Sequence, residues 1–300
     1  MKNPFYAGVT SGSRQLSWLP QPLWIEDKKT VLLNVIRTSI DPWHDLWASR
    51  ELIWVLFTRD LKASFRGSLL GWVWLLLPPL STTAIWIMLN RSHVVSFANP
   101  SVPYPLFVLT GTVIWTAFTR AALLPLQIFQ ASKPVFTKIK VSPAAFLAVG
   151  PLRSLFDGLI FLLLLVFLFP VFHHQPPLTV LLLPITMVIA VALGTAMAWA
   201  LIPLAALYSD IQQALHLLFS VFIYLGPVVY SLPESGWMRK IMILNPLTAV
   251  ITASRDWCFT GGTNWWPELL ASFFLAVLVC WLALFVMRLV MPHLVARMGM

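Results

Sequence analysis

Three basic residues lie about one helical turn apart just before the first long apolar run of the sequence. Arg59, Lys62 and Arg66 are three or four residues apart, so a helix places them on one face. The other face of that helix is apolar, and its residues are Trp43, Leu46, Trp47, Ile53, Trp54, Phe57, Leu61 and Phe65. Such a helix is typical of the membrane surface, where cations meet anionic lipid headgroups. The alternative is a core helix of a cytoplasmic domain.

This amphipathic helix is predicted over residues 41–66. Asp41 supplies an N-cap carboxylate, and Pro42 suits the first helical turn because its missing N–H would be unpaired there anyway. Directly after the helix, Gly67 and Gly71 form a G-x-x-x-G pattern. The pattern predicts a hinge into the first membrane span, close packing of another helix, or both.

The composition requires lipid as a solvent. Hydrophobic residues make up 59% of the 300 residues and charged residues 10%, and the mean hydropathy is +0.81. Apolar runs at or above the roughly 20 residues of a membrane span lie near 69–90, 104–129, 143–172, 178–207, 213–232 and 268–291. The sequence therefore predicts an all-α integral membrane protein with six transmembrane helices, preceded by an amphipathic interfacial helix.

The lysines and arginines predict the orientation. With an even number of spans, fourteen of them fall on one side of the membrane and four on the other. The positive-inside rule then places both termini in the cytoplasm. Residues 1–40 are predicted to be a flexible cytoplasmic extension, and residues 67–300 the transmembrane domain. The net charge of +9 follows from this topology, and no compact basic module is present for nucleic acid.

The segment 233–262 is predicted on the outer side, yet it is too apolar for a surface loop. Asn245 followed by Pro246 repeats the cap-then-proline start signal, which indicates short helices over about 234–243 and 246–258. We expect a re-entrant helical hairpin that dips into the outer leaflet, with Asn245, Pro246 and Arg255 in a gate. The alternative is a stabilising outer lid.

Ionisable residues inside the predicted spans are costly unless they face protein or water. Arg153 and Asp157 are one helical turn apart and are expected to pair with each other. Arg120 has no partner near it in sequence, which favours a role along a transport path.

Catalytic and metal sites are not predicted. The sequence contains no G-x-x-x-x-G-K-[ST] phosphate loop, so a partner must supply any ATP hydrolysis. The adjacent pair His173 and His174 lacks nearby carboxylates, which favours solvated side chains over a metal site. Cys258 and Cys280 lie at different predicted depths and give no argument for a disulfide.

Several motifs are recognisable together over residues 42–300. They are Arg59-Asp60-Leu61-Lys62, Arg66-Gly67-Ser68-Leu69-Leu70-Gly71-Trp72-Val73-Trp74 with Pro78, Pro103-Tyr104 to Gly111 and Trp115, Tyr208-Ser209-Asp210-Ile211, and Asn245-Pro246 with Arg255. This set resembles the permease subunits of polysaccharide-exporting type-2 ABC transporters, which serve O-antigen, capsule and teichoic acid.

The resemblance implies an inner-membrane homodimer joined to two copies of a separate cytoplasmic ATPase subunit. The substrate would be an undecaprenyl-diphosphate-linked glycan, whose diphosphate would meet Arg59, Lys62 and Arg66. This chain would bind no cofactor itself, because ATP and Mg would sit on the ATPase subunit.

The resemblance also implies where the ATPase would bind. The cytoplasmic segment 130–142, with Lys133, Phe136 and Lys138, would be a coupling helix, and Tyr208 and Asp210 would form a second contact.

Aromatic side chains are our candidates for the glycan path, because rings stack on sugar faces with little directional demand. These candidates are Trp86, Phe222, Tyr224 and Tyr230, besides Arg120. For each aromatic residue, a lipid-facing interfacial belt is the alternative.

Other functions stay open at this point. A type-2 ABC exporter of a small molecule shares the same architecture. A membrane-embedded enzyme of glycan assembly would need catalytic acids that the sequence does not bring together. A channel or scaffold would leave the basic segment around Lys138 unexplained.

Overall fold

We describe the fold of this chain from a computed structural model. It describes residues 46–47, 49–66, 68–71, 73–93, 102–138 and 143–298. The predicted N-terminal extension, the helix start at Asp41 and Pro42, and Gly67 therefore lie outside the described residues.

All regular structure in these ranges is helical, as the apolar runs predict. The α-helices are α1 (Arg50–Phe65), α2 (Val73–Arg91), α3 (Tyr104–Lys138), α4 (Pro143–Val171), α5 (Leu183–Leu207), α6 (Asp210–Phe222), α7 (Trp237–Leu244), α8 (Pro246–Phe259) and α9 (Trp266–Met298). A short 3₁₀ helix, Leu178–Leu182, leads into α5. Helices satisfy their backbone groups internally, which is what a chain in hydrocarbon requires.

Five helical segments among the described residues are long and apolar enough to cross a membrane. They are Val73–Arg91, Tyr104–Lys133, Ala145–Val171, Leu178–Leu207 and Trp266–Met287. These segments match five of the six predicted runs to within a few residues. The multi-pass membrane character of the chain is therefore confirmed.

The remaining predicted run, 213–232, has a different structure. Its helix, α6, is 13 residues long and ends at Phe222, and turns follow it to Tyr230. At 1.5 Å per residue, such a helix covers only about 20 Å of a hydrocarbon core about 30 Å thick. The count of six spans stays a prediction.

Helix α3 lies at the centre of the bundle and packs against α2, α4, α5, α6 and α8. Most of its side chains are buried, whereas most of α2 is exposed. Large exposed apolar residues on the outer helices, such as Leu163 and Phe167 of α4, suit contact with lipid. The central position of α3 lets one helix contribute to several of the sites described below.

The two short helices predicted before the last span are present as α7 and α8. Asn245 caps α8, because its side-chain oxygen accepts a hydrogen bond of 3.0 Å from the backbone N–H of Leu247, and Pro246 occupies the first helical position. The cap-then-proline signal thus located the start of α8 to the residue.

Candidate functional site

The basic residues of α1 are exposed. Arg59, Lys62 and Arg66 all reach the protein surface, whereas Leu56 and Phe57 are buried where α1 packs on α4. We call Arg59, Lys62 and Arg66 the basic face of α1, although Arg66 directly follows Phe65, the last residue of the helix. An exposed set of cations on a packed helix is available to an anionic ligand or to lipid headgroups.

Asp60 lies on the packed side of α1, where it meets α4. Its Oδ2 is 3.4 Å from Nη1 of Arg153, and the same nitrogen donates to Oγ of Ser64 at 3.2 Å. Burial raises the pKa of the Asp60 carboxyl above its ordinary value, and the charge of Arg153 opposes that shift. The surface helix is therefore joined to the bundle through a partly buried ion pair.

That ion pair continues into a network of four charged residues, which we call the charge network: Asp60, Arg153, Asp157 and Arg120. Asp157 is fully buried, and its Oδ1 accepts a bond of 3.0 Å from Nε of Arg153. The predicted pair between these two residues is thus confirmed. Oδ2 of the same carboxylate accepts a bond of 3.0 Å from Nε of Arg120 on α3.

Arg120 has no partner near it in sequence, as its position indicated, but this contact gives it a partner on another helix. Its partner, Asp157, is 37 residues away in sequence and was out of reach of helical spacing. The side chain of Arg120 keeps about a third of its surface, 30%, exposed. Two arginines and two aspartates balance in charge, which is how ionisable groups persist within a membrane bundle.

On the side of the predicted gate, Arg255 of α8 is a buried cation surrounded by backbone carbonyls. Its guanidinium donates to the carbonyls of Phe107 at 3.2 Å, Pro227 at 2.6 Å, Val228 at 2.5 Å and Tyr230 at 3.3 Å. Among the described residues, no carboxylate lies within ion-pairing distance of it. The cation therefore ties α3, α8 and the turn after α6 together.

Two residues of α3 accommodate this cation. The guanidinium carbon lies 3.6 Å from the ring centroid of Phe107, a cation–π contact that stabilises a desolvated charge. At Gly111, an added Cβ would lie 2.1 Å from the carbonyl oxygen of Val228 and 2.6 Å from Nη2 of Arg255. Only glycine fits this approach, which gives a packing reason for the Gly111 that the motifs singled out.

The aromatic candidates fall into two groups. The rings of Trp86 and Tyr224 are 6.3 Å apart, and the hydroxyl of Tyr230 donates to the carbonyl of Tyr224, so these three are contiguous. Phe222 instead lines an apolar cavity of about 400 Å³, together with Trp115, Phe118, Phe219, Asn245 and Pro246. The cavity lies where α6 and the start of α8 meet the bundle.

The predicted ATPase contacts meet at one end of the bundle. Nζ of Lys133 near the end of α3 donates to the carbonyl of Ala206 at 3.0 Å, one residue before α5 ends at Leu207. Tyr208 and Asp210 follow directly and are exposed. The predicted segment 130–142 starts as the last turns of α3, which includes the backbone of Phe136 and Lys138, and residues 139–142 lie outside the described part.

Gly71 has a positive φ of +47°, and a Cβ there would meet nothing within 4 Å. A turn conformation that favours glycine, and not a close helix contact within the chain, accounts for this residue. The hinge interpretation is therefore supported at Gly71.

Across the residues that the structure describes, no three His, Cys, Asp or Glu side chains cluster as metal ligands would. His174 packs between the rings of Phe169 and Phe259, at centroid distances of 5.9 and 5.5 Å. Cys258 and Cys280 are both free and buried.

Sequence reasoning named Asp60 only as part of a motif and gave it no role. The available signal was an acid placed among Arg59, Lys62 and Arg66, at a helical position that faces away from them. The carbonyls that accept from Arg255 had no sequence signal, because two segments distant from it in sequence, Phe107 and residues 227–230, supply them.

Comparison with known proteins assigns the family. A family profile described as ABC-2 type transporter matches residues 51–259. The chain is 24% identical over 213 residues to the O-antigen export system permease protein RfbA of Myxococcus xanthus, covering 70% of this chain and 80% of that protein.

Two further relatives agree. The O-antigen export system permease protein RfbA of Klebsiella pneumoniae is 28% identical over 225 residues, covering 72% of this chain and 83% of that protein. The polysialic acid transport protein KpsM of Escherichia coli is 22% identical over 236 residues, covering 77% and 90%. Because the profile spans more than half of the chain, from the start of the α1 region to the end of α8, this protein belongs to the family of ABC-2 type transporters.

Proposed function

We propose that this chain is the membrane-spanning permease subunit of an exporter that moves an undecaprenyl-diphosphate-linked polysaccharide of the O-antigen type across the inner membrane. The observation that carries the proposal is the basic face of α1, with Arg59, Lys62 and Arg66 exposed on a helix that packs on the bundle. Several cations close together offset the charge of a diphosphate better than one does. Two relatives named for O-antigen export support the same substrate class.

The topology we propose has six spans with both termini in the cytoplasm. The fifth span combines α6 with the turn after it, and α7 and α8 form the re-entrant hairpin. Irregular backbone is tolerated at membrane depth only where protein satisfies its polar groups. Arg255 does this for the carbonyls of Pro227, Val228 and Tyr230, which supports the placement of the turn within the membrane.

Energy for export comes from a partner in this proposal. Two copies of the chain join two copies of a cytoplasmic ATPase subunit, which holds ATP and Mg. The end of α3 and the turn at Tyr208 and Asp210 form the docking region, and the bond from Lys133 to the carbonyl of Ala206 joins the two. We expect Phe136→Asp and a charge reversal at Lys138 to uncouple the ATPase.

The glycan path in this proposal passes the contiguous group of Trp86, Tyr224 and Tyr230. Their rings offer flat apolar surfaces with few fixed hydrogen bonds, which suits a polymer that slides. In this proposal Arg120, which Asp157 holds in place, acts beside the path as part of the charge network.

Capsular polysaccharide is a second candidate substrate. The relative named a polysialic acid transport protein matches over 90% of its own length, which favours a charged glycan as much as a neutral one. The two candidates share the permease architecture and differ in the polymer that accumulates when export fails.

The test of the proposal is a triple variant in which Arg59, Lys62 and Arg66 are replaced by Gln. We expect export to be lost while the ATPase subunit still co-purifies, because the packed side of α1 is unchanged. The matched control is Arg50→Gln, which removes an exposed cation of the same helix that lies over the ring of Trp47. Full export by the triple variant would indicate that the basic face serves only to anchor α1 to lipid.

A further inference from the structure

We infer that Asp60 is a positioning residue that fixes the rotation of α1 about its own axis, so that the basic face points away from the bundle. The inference rests on the proposed function only for the ligand of that face, a lipid-linked diphosphate. The orientation itself is argued from the contacts of α1 alone.

The geometry of α1 separates two sets of side chains. At 100° per residue, Lys62, Arg66 and Arg59 lie about 200°, 240° and 260° around the helix from Asp60. Ser64 lies within about 40° of Asp60, on the side that faces α4. By the shorter way around the helix, the basic side chains therefore lie about 100–160° from Asp60. A rotation of α1 that breaks the contact of Asp60 changes the direction in which the basic face points.

The partner of Asp60 is itself rigidly placed. Arg153 is only 3% exposed, and its Nε is bound to a carboxylate, that of Asp157, with no exposed surface. That carboxylate is bound in turn by Arg120 of α3, so the position of Arg153 is set by two packed helices. Asp60 consequently meets a fixed guanidinium and not a mobile surface side chain.

Apolar packing alone does not fix the rotation of α1. Leu56 and Phe57 hold α1 against α4, but hydrophobic contact is non-directional and tolerates small rotations. A charge-assisted hydrogen bond depends on direction and distance, and it selects one rotation. Asp60 is the acidic residue of α1 that makes such a contact, whereas Glu51 is exposed.

The first test uses the assembled permease and ATPase complex in vesicles that contain polyprenyl diphosphate. For Asp60→Asn we expect about a tenfold higher polyprenyl diphosphate concentration at half-maximal ATPase stimulation, the effect of roughly one lost charge-assisted contact, with an unchanged maximal rate. Asp60→Glu should largely restore the wild-type value, and Glu51→Gln should match wild type. A wild-type response of Asp60→Asn would overturn the inference.

The second test does not depend on the ligand. Single cysteines placed at Lys62, which is exposed, and at Leu56, which is buried, are labelled with a charged thiol reagent in membranes. We expect the cysteine at position 62 to be labelled much faster than the cysteine at position 56. The ratio of the two rates should fall at least about threefold when Asp60→Asn is added, because α1 then rotates more freely. An unchanged difference would overturn the inference.

The two tests separate the inference from the proposed function. If the labelling difference falls but polyprenyl diphosphate stimulates neither wild type nor variants, Asp60 positions α1 and the proposed ligand is wrong. If wild type responds to polyprenyl diphosphate and the labelling difference is unchanged in Asp60→Asn, the proposed function stands and the inference fails.

Discussion

Replacement of Arg255 by Met tests whether one buried cation holds the outer part of the bundle together. The methionine side chain keeps most of the apolar stem but donates no hydrogen bond. In the structure the guanidinium is the donor to two buried turn carbonyls, those of Pro227 and Val228. The variant therefore removes the contact that joins the turn after α6 to α8.

The magnitude follows from the carbonyls left behind. A buried acceptor without a donor costs about 1–3 kcal/mol, so the two turn carbonyls together cost about 2–6 kcal/mol. We leave the bond to the Phe107 carbonyl out of the sum, because that carbonyl lies within α3. At about 2–4 °C for each kcal/mol in chains of similar size, the melting temperature should fall by roughly 4 °C or more.

Gly111→Ala attacks the same contact from α3. Its Cβ would lie 2.1 Å from the carbonyl oxygen of Val228, so the turn or the helix must move, at about 1–3 kcal/mol for an overpacked site. Gly262→Ala is the matched control, because a Cβ there meets nothing within 4 Å. The assay measures the fraction of purified protein that stays monodisperse in detergent after heating to each temperature. A melting temperature within about 2 °C of wild type for both Arg255→Met and Gly111→Ala would refute the reasoning.

Three further predictions concern the other contacts. Asp157→Asn removes the carboxylate that two arginines share and should destabilise the protein by about 3–5 kcal/mol, measured by the same melting assay. The control is Asp210→Asn at an exposed site, and equal stability of the two variants would contradict this prediction. Lys133→Met should weaken ATP-driven export more than ATPase co-purification, because it cuts the link between the ends of α3 and α5, and equal losses would argue against that link. Trp86→Ala should slow export in vesicles several-fold at unchanged expression, whereas Trp54→Ala, at a 61% exposed position on α1, should not.

The spans were predictable because their physical cause is local. A run of about 20 apolar residues is stable in lipid as a helix whatever its neighbours are, so composition alone places it. The start of α8 was equally local, since Asn245 and Pro246 satisfy the backbone of their own turn. The exposure of the basic face followed from the 3.6-residue period of α1.

The contacts between distant segments were not predictable in the same way. Arg120 and Asp157 are 37 residues apart, and Arg255 meets carbonyls of residues 107 and 227–230, so no spacing rule joins them. The predicted run 213–232 failed as a single long helix for a related reason. The turn carbonyls of that run are satisfied by Arg255, a tertiary contact, and not by the helix ladder that apolarity predicts.

The most direct test of the central claim is to delete this chain in its host and to quantify polyprenol-linked glycan in the cytoplasmic membrane together with glycan at the cell surface. We expect lipid-linked polymer to accumulate inside the cell while surface polymer is lost. Loss of both pools would point to glycan synthesis, and no change in either would contradict the claim that this protein exports polysaccharide.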